Sequence, residues 1–131
     1  MKEYKFRWYG ADGTINYRRV EVPSDAEIYI GRGKDGREIQ FRWLGADGKT
    51  HYRFECLPFN AQINLGNDRA GREVWEGEIV VDDFGNSFFA QVIKSLDGWV
   101  SPHVRLPIEY LTKRTPHITG APLDRKEVWK S

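Results

Sequence analysis

The chain has 131 residues, 40% of them hydrophobic and 14% aromatic, enough to fill the core of one domain of ordinary size. Charged residues reach 30% but cancel to a net +1, which argues against a nucleic-acid binder that works by basic excess. No stretch approaches the ~20 apolar residues of a bilayer span, and the opening MKEYKFRWYG lacks the apolar run of a signal peptide, so a cytoplasmic protein without membrane contact is expected.

The first predicted element runs from Tyr4 to Tyr9. It alternates Phe6 and Trp8 with Lys5 and Arg7, the period-two pattern of a half-buried strand. Gly10-Ala11-Asp12-Gly13 supplies turn chemistry, Asp and Gly both tolerating the positive backbone angles of tight hairpins. Thr14 to Val22 is the returning strand, ended by Pro23-Ser24-Asp25, and Ile28-Tyr29-Ile30 is a short strand. Gly31 to Gly36 then forms another turn. Glu38 to Leu44, Gly45-Ala46-Asp47-Gly48 and Lys49 to Leu57 repeat the first hairpin at an offset of 35 residues, FRWYGADGTINYR becoming FRWLGADGKTHYR. Pro58 stops the second copy as Pro23 stops the first.

A weaker echo follows, GREI at 36–39 returning as GREV at 71–74. Glu78 to Val81 and Ser87 to Ile93 are predicted strands around an Asp82-Asp83-Phe84-Gly85-Asn86 turn. Gly77 can take a left-handed turn just before the buried Ile79-Val80-Val81 strand, and Glu76 or Glu78 can pair with a base or accept turn hydrogen bonds. Leu106 to Lys113 suits a strand or one or two helical turns, and Asp124 to Lys130 a short terminal helix, with Pro122 and Asp124 near its start. Two good copies do not make a solenoid. The expected fold is a single, mainly β domain over 1–131, with a duplicated-hairpin half (1–58) and a second half (59–131). Short antiparallel strands form a small SH3-like barrel or packed curled sheets, with at most one or two short C-terminal helices.

The stretch QINLGNDRAGREVWEGEIV, Gln62 to Val80, resembles the central motif of the YopX family, Q-x-x-G-L-x-D-x-x-G-x-E-I-Y-E-G-D-I-V. The opening MKEYKFRW is similar to that family's M-R-E-I-K-F-R-A-W, and ITGAPLDRKE, Ile118 to Glu127, to its closing V-I-G-N-I-Y-E-N-P-E. The three patches keep the family's order and span most of the chain, while the duplicated hairpin lies outside the pattern. The resemblance implies a small, mostly β protein of bacteriophages and prophages, of unestablished function, and it brings no catalytic residues.

Chemistry has few footholds. Arg7-Trp8 and Arg42-Trp43, with Arg18 and Arg53 beside Tyr17 and Tyr52, are the candidate ligand or partner contacts. Such sets stack bases and meet phosphates. Rings alternating with Arg also describe a half-buried strand whose Arg stems cover apolar surface, and that reading weighs more. A tight turn would let Arg7 and Arg18 share a face. His51, His103 and His117 lack zinc-ligand spacing, so no metal is expected. Ser87, Ser95 and Ser101 sit in no nucleophile motif, and Cys56, the only cysteine, is expected in the core. Glu73, Glu76 and Glu78 would form a carboxylate set only by tolerating repulsion between Glu76 and Glu78 on one strand face. No catalytic residue and no cofactor is expected. The favoured role is binding a host or phage protein through a strand edge or an oligomer interface, a homo-oligomer being compatible with it. Nucleic-acid or nucleotide binding through Arg7, Arg18, Arg42 and Arg53 is the second reading.

Overall fold

The computed structural model describes residues 1–104, 111–113 and 127–130, with backbone alone at 101–104 and 127–130. The first hairpin is β1 (Lys2–Tyr9) and β2 (Ile15–Val22). β3 (Glu27–Arg32) leads to the second hairpin, β4 (Arg37–Leu44) and β5 (Thr50–Leu57). β6 (Gln62–Asn67), β7 (Glu73–Trp75), β8 (Ile79–Val81), β9 (Ser87–Phe89), β10 (Val92–Lys94) and β11 (Trp99–Val104) follow. β12 (Thr112–Lys113) and β13 (Glu127–Lys130) complete the described strands.

The corners share one construction. At Gly10–Thr14, Gly13 N donates to Gly10 O at 3.0 Å and Gly10 N to Thr14 O at 2.8 Å, with Gly13 at φ +81°. This is a type I turn closed by a left-handed glycine bulge. The same pair of bonds recurs at 45–49, 68–72, 82–86 and 95–99, each with a left-handed glycine in fourth place. No aspartate among the described residues has a positive φ. Asp12 serves as an acceptor instead, taking the Thr14 N–H at 3.0 Å and its hydroxyl at 2.7 Å.

Among the described residues the strands form two five-stranded sheets, β13-β2-β1-β6-β7 and β10-β11-β3-β4-β5, and a three-stranded sheet, β12-β8-β9. The larger two share a core of Phe6, Val20, Val22 and Ile63 from one side and Ile28, Ile30, Ile39, Phe41 and Leu57 from the other. Phe6 and Phe41, the equivalent rings of the two copies, are both fully buried, each worth about 1.5–3 kcal/mol. The hairpin copies therefore face one another across the core. Val74, Val80, Ala90 and Leu111 form a second, smaller cluster. The fold is mainly β, with antiparallel curled sheets and no closed barrel among the described residues.

Three expectations change. Glu127–Lys130 is not helical; it pairs in parallel with β2, from Glu127 opposite Ile15 to Lys130 opposite Arg18. The ladder groups on that side of β2 accept a strand containing Val128 and Trp129, residue types that favour extended backbone. Ser87 to Ile93 is two strands, because the chain leaves one sheet for another at Ala90 and Gln91. Cys56 is exposed, since the alternation of β5 sends Leu57 into the core and Cys56 outward. The remainder of the terminal pieces lies outside the described residues, as does His117. No helix among the described residues is long and apolar enough to cross a membrane.

Candidate functional site

The register of each hairpin decides where the candidate side chains go. Phe6 pairs with Arg18 and Arg7 with Tyr17; in the second copy Phe41 pairs with Arg53 and Arg42 with Tyr52. Arg7 and Arg18 thus lie on opposite faces. A two-residue Asp-Gly turn would have joined them, but the extra bulge residue moves the pairing by one and reverses the parity.

Arg18 and Arg53, on the core faces, converge on Glu55. Arg18 Nη2 lies 2.8 Å and Arg53 Nε 3.2 Å from its carboxylate. Arg53 also donates to Glu21 O at 3.4 Å. Two equivalent cations, one per hairpin, share one anion between the sheets. On the outer faces Arg7 sits 4.5 Å from the Trp75 ring centre and Arg42 3.7 Å from that of Trp99. Arg7 Nε donates to Gln62 Oε1 at 2.9 Å, and Arg42 Nη2 pairs with Glu27 at 3.2 Å. Trp8 and Trp43 pack against the core edge, Trp43 also stacking on His51 at 6.0 Å. All four guanidinium groups are engaged within the fold.

The Glu-Gly-Glu turn has the architecture its residues suggested. Glu78 N donates to Trp75 O at 3.0 Å across Gly77, which lies at φ +87° and donates to Ala90 O at 2.7 Å. Glu76 holds Arg37 through both oxygens, Nη2 to Oε2 being 2.7 Å. Glu78 is buried; its Oε1 accepts the Trp75 N–H at 2.6 Å. Its Oε2 lies 2.7 Å from Lys113 Nζ, an ion pair without hydrogen-bond alignment, and 3.9 Å from Arg7. Glu73 pairs with Lys5. The three carboxylates therefore meet different bases, Glu78 meeting two, and do not form an acid–base set. An open pocket of ≈ 190 Å³ beside Arg7, Gln62, Glu78 and Phe89 draws its polar lining from these same paired groups. Nearby, buried Asp68 accepts the N–H groups of Lys113 (2.9 Å), Arg72 (2.8 Å) and Ala70 (2.9 Å). Burial raises its pKa, but those three bonds and the Arg72 charge outweigh it and hold the carboxyl below its ordinary range.

What the two copies do not share marks the surface that remains. Tyr17 and Tyr52 are equivalent, yet Tyr17 is 8% exposed beneath Trp75 and Tyr52 is 52% exposed. Arg19 and Glu21 on the outer face of β2 become Phe54 and Cys56 on β5. Phe54 is 69% exposed and stacks on Tyr52 at 6.1 Å, and Leu44, opposite Thr50 on β4, is also exposed. The edges differ as well. β2 is covered by β13, whereas β5, a regular strand of 8 residues, pairs with β4 alone among the described residues. Leu44, Phe54 and Cys56 were absent from the sequence candidates, and Tyr52 entered only as the neighbour of Arg53. Setting the two copies side by side and reading their differences, Arg19 against Phe54 and Glu21 against Cys56, would have found them. No family model, curated protein or solved structure matches the chain.

Proposed function

We infer that the protein is a non-enzymatic interaction module that binds another protein through the outer face of the β4–β5 hairpin. The observation that carries this reading is the contrast between the copies: Tyr9, Tyr17 and Arg19 of the first hairpin, half-buried, buried and charged in turn, are replaced on the second by Leu44, Tyr52 and Phe54, all exposed and apolar or aromatic. Exposed rings on a rigid strand are efficient anchors, because they lose little conformational entropy on binding. The paired state of the carboxylates and guanidinium groups supports a binding role over catalysis and over phosphate contact. With the YopX-like motif, the reading becomes an accessory protein of the phage or prophage kind, acting on a host or phage protein in the bacterial cytoplasm.

The test is a parallel capture from bacterial lysate by the wild-type chain and by Leu44→Lys. Leu44 lies at the end of β4, exposed and clear of the core, so the substitution leaves the fold intact. A protein retained by the wild type and lost by the variant is expected; identical retention by both would refute the assignment of this face.

A further inference from the structure

We propose that two copies of this chain pair edge to edge through β5, antiparallel, about a twofold axis at Phe54. This rests on reading the second hairpin as the interaction element, and it names the occupant of its edge. β5 lacks three common protections against strand addition on its own edge: it has no proline, no lysine and no bulge in its ladder with β4. Its inward charges, Arg53 and Glu55, would blunt an edge facing a neutral strand. Against a second β5 they do the reverse.

The axis can be placed from charge and parity. A twofold normal to the sheet keeps each face with its like, so it must pass through a residue and not between two. Through Arg53 it sets Arg53 against the partner's Arg53. Through Glu55 it opposes two carboxylates. Through Phe54 it sets Arg53 against the partner's Glu55 and Glu55 against the partner's Arg53, because R-F-E read backwards is the complement of itself. The outer face then brings Phe54 onto the partner's Phe54, with Tyr52 beside the partner's Cys56. Opposed unlike charges and stacked rings are both favourable cross-strand pairs.

The fold already adds a strand at the equivalent edge of the first hairpin, there in parallel. β2, the equivalent of β5 in the first hairpin, takes β13 along its free edge over Ile15 to Arg18. The positions 35 residues later, Thr50 to Arg53, lie in the self-paired stretch. Pairing joins two five-stranded sheets into one and sets two copies of the Leu44–Tyr52–Phe54 face on the same side. A protein that meets this face meets it twice, and a bivalent contact holds more tightly than either half alone.

Light scattering and sedimentation of the wild-type chain read the mass, and disulfide trapping reads the register. The expected mass is twice the 15.3 kDa of one chain. Phe54→Lys, which puts two ammonium groups on the axis, weakens association about a hundredfold. Under mild oxidation, Phe54→Cys with Cys56→Ser cross-links at the axis, and Tyr52→Cys cross-links to the partner's Cys56. Tyr52→Cys with Cys56→Ser, and the wild type itself, do not. A single-chain mass at every concentration overturns the pairing, as does trapping of wild-type Cys56 at the rate of the Phe54→Cys variant. The failures are separable: a single-chain mass with lysate capture still lost in Leu44→Lys removes the pairing and keeps the binding face. A doubled mass with capture unaffected by Leu44→Lys does the opposite.

Discussion

Replacing Glu55 by Gln tests whether the surplus arginines of the repeated phrase are part of the fold. The carboxylate is 8% exposed and holds Arg18 at 2.8 Å and Arg53 at 3.2 Å. Breaking a fully buried pair from one side costs about 3–5 kcal/mol, because a charge is left behind without its counter-ion. Here the stranded arginines are 28% and 41% exposed, so water reaches them and the loss falls to about 2 kcal/mol. Arg18 contributes more of it than Arg53, being the less exposed and having a buried Nε with no other acceptor. A double-mutant cycle of Glu55→Gln with Arg18→Met, read by urea unfolding at neutral pH, should give a coupling of about 1 kcal/mol or more. In Arg18→Met itself the loss should be smaller than in Glu55→Gln, since Arg53 still neutralises the carboxylate. A coupling near zero, or an Arg18→Met variant as stable as the wild type, would refute the reasoning and return Arg18 to the pool of ligand contacts.

The remaining predictions concern the corners and the buried acid. Gly13→Ala should cost only the backbone penalty of a left-handed alanine, about 1 kcal/mol, since an added Cβ there meets nothing within 4 Å. Gly98→Ala should cost clearly more by the same urea assay, because its Cβ would sit 2.3 Å from the Tyr29 ring. An equal loss at the two sites would contradict the packing. For Asp68 the folded pKa lies below the ordinary carboxyl value, so the ionised form is the one that stabilises. Its contribution is complete above the unfolded pKa and fades as pH falls through the folded one. The stability gap between wild type and Asp68→Asn should therefore be wide at neutral pH and narrow near pH 3, as measured by urea midpoints. A gap that widens in acid would reverse the sign.

Much of the fold could be read from local pattern. The alternation from Tyr4 to Tyr9 and the Glu-Gly-Glu turn encode their geometry within a few residues and formed as the residues suggest, and the Gly-Ala-Asp-Gly stretches turn the chain where expected. What failed to show was whatever depends on one residue of register. The Asp-Gly pair favours a two-residue turn, and only the bulge glycine at φ +81° reveals the longer loop that separates Arg7 from Arg18. Cys56 was misplaced for a related reason: its hydrophobic character suggests burial, while the parity set by Phe41 opposite Arg53 sends it outward. β13 was hidden because a strand of 4 residues gains its stability from a non-local edge, not from its own sequence. The candidate face escaped because likeness between the copies drew notice to Arg7, Arg18, Trp8 and Trp43. The chemistry lies where the copies diverge.

The recurrent glycine-closed corner also bears on how the chain finds its fold. Each such loop joins strands only a few residues apart, so these ribbons can zip in about 1–10 microseconds without waiting for distant chain. The contacts that must search include those between β1 and β6, β3 and β11, β8 and β12, and β2 and β13, whose partners lie tens of residues or more away. The rate-limiting encounter is then the meeting of ready-made ribbons, and substitutions at Phe6 or Ile28 should slow refolding where corner substitutions chiefly hasten unravelling.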